Sequence, residues 1–365
     1  MCYMRNIFIL TLNDNNNYGN RLQNYAMKFI LEKYGSVFTV RTDAYCLSVL
    51  NFVKHLLKNV FSYVGVNLLR FFSLKKQRQW IFAKFTQDYV PDDLVFASPL
   101  TGLKAEFPLT NADLLVLGSD QIWNPTGNTI GTLKFRLGMF NPNMRRISYA
   151  ASLGQSYIPD AYVAVFKNGL AEIEHISVRE YAGKDSLQKL TDKTVSVVLD
   201  PTLMVSADKW LEFTRDFVPD NDRYVLTYFL GRPSDEQEYD IQKYAKAHGC
   251  RVRRMLDLRD EETYVAGPQD FVELFSKAQY VFTDSYHACC FSILFHKQFT
   301  VFNRAGMNGK SNMNSRMETL FRLFDLDSVM MDSGLAPEID YEKVDHLLEE
   351  NRRKSQNWLD KAMEG

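Results

Sequence analysis

Short apolar runs alternate with stretches whose apolar positions recur every three or four residues, from the start of the chain almost to its end. The first run, Asn6 to Leu12, is followed by the polar stretch Asn13 to Asn20, which reads as a strand and then a loop. Leu22, Tyr25, Ala26, Phe29, Ile30 and Tyr34 then keep helical spacing and stop at Gly35, where a left-handed glycine cap is expected. Val37 to Val40 supplies the next strand. Further buried strands are predicted at Asp113–Leu117, Arg146–Ala151, Ile176–Val178, Val195–Leu199, Tyr224–Leu230, Arg251–Leu256, Tyr280–Thr283 and Phe299–Phe302. Helices fall between them, for example over Ser234–His248 and Pro268–Lys277. Uninterrupted apolar strands separated by helices imply an α/β fold with parallel, doubly wound sheets.

A chain of 365 residues is longer than one hydrophobic core usually serves, so the pattern divides into two Rossmann-like domains. We place them at 1–205 and 206–365, with the last helix, Tyr341 to Met363, packing back across the join. The composition is that of a globular protein, 46% hydrophobic and 24% charged, and a net charge of −1 gives no general affinity for nucleic acid. Five cysteines without paired spacing fit neither a disulfide framework nor a zinc site. The apolar run Ile7 to Leu12 is too short for a signal-peptide core or a membrane span, so a cytoplasmic protein is expected. Charge is uneven along the chain. Between Asp43 and Asp88 there is no acidic residue, while Lys54, Lys58, Arg70, Lys75, Lys76, Arg78 and Lys84 are basic. With Leu56, Phe61, Phe71, Phe72 and Trp80 interleaved, residues 44–88 read either as solvated amphipathic helices or as an insertion resting on the inner face of a membrane.

In open α/β sheets ligands bind beyond the carboxyl ends of the strands, so chemistry is sought in the loops that follow them. Gly118-Ser119-Asp120-Gln121-Ile122-Trp123-Asn124-Pro125 offers a carboxylate, amides and an aromatic ring, the means of holding a sugar. Asp120 there is equally a turn cap or a base, and Trp123 equally a core residue or a sugar platform. Ser177-Val178-Arg179-Glu180 puts a guanidinium at a strand end, whether for a ligand or for a carboxylate of the chain. Thr283-Asp284-Ser285-Tyr286-His287 leads from a strand into a helix over Ala288–His296, with Ser285 as cap. A phosphate or carboxylate is expected at that helix start, with His287 in its first turn. The Gly- and Asn-rich stretch Asn303 to Arg316 carries three cations, as a loop closing over an anion would. His55, His175, His248, His296 and His346 belong to no constellation.

Together Asn17-Tyr18-Gly19-Asn20-Arg21-Leu22-Gln23, Gly118 to Asn124, Ser148 to Gly154, Ser177 to Glu180, Asp200-Pro201-Thr202 and Thr283 to His287 resemble, in order, the polysaccharide pyruvyltransferase family over about residues 6 to 325. The resemblance implies a fold similar to the two-domain GT-B glycosyltransferases, phosphoenolpyruvate as donor and co-substrate with no cofactor, and a saccharide acceptor, often carried on a polyprenyl diphosphate. It implies a donor pocket of cations and a histidine, with the second domain as the donor side and Arg179 contributed by the first. Here that points to Arg179, Asp284, Ser285 and His287, with a further cation at Arg304, Lys310 or Arg316. The acceptor side, in the first domain, falls on Asn17, Tyr18, Asn20, Gln23, Ser119, Trp123, Asn124 and Ser152. Tyr286, where many members have phenylalanine, and Cys289-Cys290, where small residues are common, depart from the pattern without removing a charge.

Ketal formation requires a proton at C3 of the donor, attack of two hydroxyls on C2 and loss of phosphate. His287 suits proton delivery, Asp120 suits the base, and the chain's own cations are expected to take the place of a metal, since no metal-ligand cluster is evident. A GT-B glycosyltransferase using a nucleotide sugar is the competing reading, because fold alone does not separate them. A non-catalytic sugar-binding relative is the third, disfavoured by His287 and Arg179.

Overall fold

The computed structural model describes residues 5–14, 16–40, 65, 70–93, 113–141, 143–303 and 314–364. The chain divides into two compact units, one of Met1–Leu68, Thr86–Met204 and Asn351–Gly365, the other of Leu69–Phe85 and Val205–Glu350.

The first unit holds seven parallel strands: β1 (Arg5–Leu10), β2 (Gly35–Val40), β3 (Asp92–Asp93), β4 (Leu114–Leu117), β5 (Arg146–Ala151), β6 (His175–Val178) and β7 (Val195–Val197), in the order β3-β2-β1-β4-β5-β6-β7. β1 lies between β2 and β4, with Phe8 level with Phe38 on one side and Leu115 on the other. The helices Tyr18–Leu31, Ile130–Arg136, Asp160–Ala171 and Tyr181–Gln188 link successive strands. β4 and β5 are buried along their whole length; β4 is legible as an unbroken apolar run, while β5 carries Arg146 and Ser148 among its apolar residues. Leu10, Leu117, Trp123, Leu133, Phe166 and Ile176 belong to one core cluster.

Gly35 does not cap the first helix in the left-handed region. The helix passes into a 3-10 turn, Glu32–Tyr34, and Gly35 opens β2 in extended conformation, with φ 162°. Its requirement for glycine is steric: a Cβ there would stand 2.1 Å from the carbonyl oxygen of Arg5 on β1.

The second unit has five parallel strands, β8 (Tyr224–Tyr228), β9 (Arg251–Met255), β10 (Tyr280–Thr283), β11 (Phe299–Phe302) and β12 (Met330–Met331), in the order β12-β11-β10-β8-β9. Helices Asp235–Ala247, Pro268–Lys277 and Tyr286–Leu294 connect β8 to β9, β9 to β10 and β10 to β11. The predicted helix over Ala288–His296 thus begins two residues earlier, and it ends where His296 takes a left-handed φ of 52°. In each sheet the chain winds outward one way and then returns to the other side of its first strand. The reversal lies between β1 and β4 in the first unit and between β8 and β10 in the second. The carboxyl ends of those pairs are where such sheets take ligands.

Of the basic segment, residues 44–64 and 66–69, including Lys54 and Lys58, lie outside the described residues. The remainder leads into the helix Leu74–Tyr89. Its face of Arg78, Phe82 and Phe85 is buried, while Phe71 and Phe72 are 75% and 86% exposed. Arg70 stands over the rings of Phe71 and Trp80. Among the described residues, no helix is long and apolar enough to cross a membrane.

Candidate functional site

In the first unit, the carboxyl ends of β1, β4, β6 and β7 send polar side chains toward one another. Asn20 follows β1, in the first turn of a helix capped by the Asn17 side chain, which accepts from the Asn20 amide at 3.2 Å. Asp120 follows β4 and accepts a hydrogen bond from Asn20 Nδ2. Arg179 follows β6, and Asp200 follows β7. The Arg179 guanidinium donates to Asp120 Oδ1 at 2.6 Å and to Asp200 Oδ2 at 2.7 Å. The other Asp200 oxygen accepts from the amide and hydroxyl of Thr202, at 3.0 and 2.7 Å. Arg179 and Asp200 are each 1% exposed and Asp120 6%. Two carboxylates therefore share one buried guanidinium, and Asp120 is the carboxylate nearer solvent.

The loop geometry that aims Asp120 is specified by its neighbours. Asp120 has φ 63° and Ala150, on the adjoining strand, φ 49°, a region that non-glycine residues occupy only where the surroundings hold them there. The holding contacts are visible: the Ser152 amide donates to the Asp120 carbonyl at 2.8 Å and the Trp123 amide to the Ser152 carbonyl at 3.1 Å. Gly118, with φ 130°, lies so close to β5 that a Cβ would meet the Tyr149 carbonyl oxygen at 2.1 Å. Glu180 Oε1 gathers the Ser152 hydroxyl at 2.9 Å and the Leu153 amide at 2.8 Å, so the loop after β5 is tied to the end of β6. Burial, and then the charge of Asp200, push the Tyr149 hydroxyl above its ordinary pKa, keeping it a neutral phenol beside the carboxylates.

The expected acceptor residues divide on this geometry. Asn17, Asn20 and Ser152 belong to the cluster around Asp120. Gln23 is buried and spends its amide on Thr11 Oγ1, at 2.9 Å, and on the Asn20 carbonyl, at 3.0 Å, bracing the loop after β1. Tyr18 and Ser119 are fully buried, and the Ser119 carbonyl accepts from the Thr11 hydroxyl at 3.0 Å. Trp123 is fully buried in the core, its indole N–H donating to the Arg136 carbonyl at 3.2 Å, so of its two readings the structure gives the core residue. Asn124, half-buried, donates to Gln121 Oε1 at 2.7 Å. Asp200 and Thr202 are the residues whose part the sequence left undescribed; the Asp-Pro-Thr turn directly after a strand was the available signal.

In the second unit, β10 delivers Asp284 and Ser285 to the start of the helix Tyr286–Leu294. Asp284, expected as a donor contact, turns both oxygens to the loop after β8, accepting from the amides of Leu230 at 2.6 Å and Gly231 at 2.9 Å. It ties the two strand ends together at the reversal of this sheet. Ser285 is the N-cap residue but its side chain makes no capping bond. His287 is 8% exposed, with its ring edge-on to Tyr286, and the Arg316 guanidinium lies 5.9 Å from the centre of the Tyr286 ring. A histidine and an arginine thus stand at a helix start, where backbone N–H groups and the helix dipole favour an anion. Arg304 and Lys310 lie outside the described residues. Burial, and then the charge of Asp284, hold the Cys289 thiol well above its ordinary pKa, so it is an inert thiol rather than a nucleophile. Among the described residues no group of three or more His, Cys, Asp or Glu side chains is placed to hold a metal ion.

Known structures are similar to the chain to different degrees. A protein from Listeria monocytogenes provisionally assigned as a UDP-N-acetylglucosamine 2-epimerase is 12% identical, with 97% of this chain and 91% of that one covered and a TM-score of 0.51. The UDP-GlcNAc 2-epimerase of Methanocaldococcus jannaschii, solved with UDP-GlcNAc and UDP, is 11% identical over 95% and 99% of the two chains, with a TM-score of 0.44. An indoxyl-glucosylating UDP-glucosyltransferase from Polygonum tinctorium is 12% identical over 100% and 99%, at 0.40. The first of these likenesses, at a TM-score of 0.51, shows the fold alone, an α/β, GT-B-like one. No curated protein matches the sequence significantly. The family model for polysaccharide pyruvyl transferase matches residues 17–306, a span that contains Asn20, Asp120, Arg179, Asp200 and His287, and the chain belongs to that family of transferases.

Proposed function

We propose that this chain transfers the pyruvyl group of phosphoenolpyruvate to a saccharide as a cyclic ketal, with release of phosphate. The observation that carries the proposal is the start of the helix Tyr286–Leu294, where His287 and Arg316 stand beside an anion-favouring helix end and Asp284 holds the adjoining loop. Arg316 and the helix start receive the charge of the donor, joined by whichever of Arg304 and Lys310 approaches it. His287 delivers the proton to C3. That step makes C2 an oxocarbenium-like electrophile, which a first sugar hydroxyl attacks. Phosphate departs, and a second hydroxyl closes the ring. Two hydroxyl protons are lost: one balances the proton gained at C3 and the other leaves with phosphate. Asp120, held by Asn20 and Arg179, is the base that accepts from a hydroxyl.

Incubation with phosphoenolpyruvate and a panel of lipid-linked galactosides is expected to release phosphate only when a saccharide is present, with one ketal formed per phosphate. No release with any member, or consumption of a nucleotide sugar in its place, would overturn the proposal.

The acceptor we propose is lipid-linked, and the chain meets it at the inner face of the membrane. The support is the pair of exposed rings, Phe71 and Phe72, beside Arg70, Lys75 and Lys76. Liposome flotation is expected to show binding that requires anionic lipid and weakens as salt rises, because the Debye length is only about 10 Å at 0.1 M. Flotation indifferent to lipid charge would leave these residues as a solvated face.

A further inference from the structure

A cleft of about 630 Å³ opens at the carboxyl ends of β8 and β9 in the second unit. Phe229, stacked on Phe302 with ring centres 6.3 Å apart, and Tyr264 give it aromatic walls, and Leu258, 62% exposed, forms part of its lip. Neither the proposed donor contacts nor the Asp120 cluster uses any of these side chains.

Its charges determine what it accepts. Arg254, itself buried, pairs with both oxygens of Glu238, one bond being 3.0 Å. Arg259 donates to Asp257 at 2.8 Å. Both carboxyls are held below their ordinary pKa: burial acts to raise each, and the hydrogen bonds and charges of the arginines outweigh it. These four side chains are thus a fixed, internally neutral lining with hydrogen-bonding capacity to spare. Arg232, exposed on the loop after β8, and Asp235, at the start of the following helix, also line the cleft, and among the described residues neither makes an ion pair. A strongly anionic guest is disfavoured, because Asp235, Glu236 and Glu238 crowd the first turn of the helix Asp235–Ala247. Aromatic walls, paired donors and acceptors and an exposed guanidinium open to a guest describe a site for a ring bearing hydroxyl groups and one acidic substituent.

We infer that this cleft binds a pyranose bearing one acidic substituent, a uronate or a sugar phosphate, with Arg232 as its charge partner. The Gly231 amide that donates to Asp284 belongs to the same loop as Arg232, so the cleft adjoins the His287 helix start within this unit. The inference stands without the pyruvyl-transfer proposal, because its test contains no donor and requires no turnover.

Ligand-observed NMR on the full chain, with glucuronate, glucose 1-phosphate, glucose and inorganic phosphate as separate probes, provides that test. At least one charged sugar is expected to saturate a single site and to bind more tightly than glucose or phosphate. The better of the two identifies the acidic group. Arg232→Ala is expected to weaken that binding on the order of tenfold or more, the effect of losing a charge-assisted hydrogen bond, and Arg232→Lys to restore part of it. Because Arg232 is exposed and makes no ion pair, the substitution leaves the fold intact. Phosphate binding as well as either sugar would show an anion site only. Failure of both charged sugars to bind, or their indifference to Arg232→Ala, would equally overturn the inference.

Discussion

Replacing Arg179 by methionine is expected to lower the unfolding free energy by about 3–5 kcal/mol, the cost found when one partner of a buried ion pair is removed. The side chain is enclosed, and its guanidinium lies between Asp120 at 2.6 Å and Asp200 at 2.7 Å. Methionine fills much of the volume but leaves two carboxylates in a low-dielectric site without their cation. For a unit of this size the loss corresponds to a fall in Tm of roughly 6–20 °C, followed by far-UV circular dichroism. Arg179→Met combined with Asp120→Asn is expected to recover part of that stability, since it removes one of the two orphaned charges; contacting residues are not additive. Had the guanidinium been a donor contact instead, the single variant would melt like the parent and would show only a raised KM for phosphoenolpyruvate. A melt lowered by that amount, with the KM for phosphoenolpyruvate unchanged, would make Arg179 a positioning residue for Asp120.

The contrast between these two roles shows what the sequence could and could not convey. Arg179 was visible as a cation at a strand end, and its two readings, ligand contact or ion pair, were both open. Which one holds depends on Asp200, which lies 21 residues away and on the next strand; chain spacing says nothing about how two strand ends converge. Asp120 is similar. Its place in a loop after β4 was legible from the apolar run before it, whereas its left-handed φ depends on Ser152, beyond the neighbouring strand, which Trp123 of the same loop bonds in turn. The central strands declared themselves because burial on both faces leaves runs that are mostly apolar, Leu114–Leu117 wholly so. β3 and β12, two residues each at sheet edges, carry too short a pattern to be read. Gly35 was recognised as a position that requires glycine, but for a cap; the true constraint is the approach of Arg5 from a neighbouring strand. His248 and His296 were read as structural, and they bond the Tyr244 carbonyl and the Asp345 carboxylate.

His287→Ala is expected to lower kcat for phosphate release by about 10²–10⁴-fold, the usual contribution of a positioned acid or base, while leaving the KM for phosphoenolpyruvate within a few-fold of the parent. The reasoning is differential. Proton delivery to C3 acts only as the barrier is crossed, so its loss appears in kcat, whereas a cation that holds the donor charge before and during reaction contributes uniform binding and appears in KM. Arg316, beside Tyr286 at the same helix start, supplies the comparison. Arg316→Ala is expected to raise the donor KM with a smaller change in kcat. Both side chains are largely buried, so circular dichroism and a thermal melt must first show that each variant is folded. The Cys289 thiol, one turn beyond the cap, offers no substitute for His287, because burial and the Asp284 charge keep it protonated. A His287→Ala enzyme turning over at the parental kcat would end the assignment of proton delivery to this residue. If it lost donor affinity while kcat held, His287 would instead be a donor ligand like Arg316, and Asp120 would be the remaining candidate for the proton chemistry.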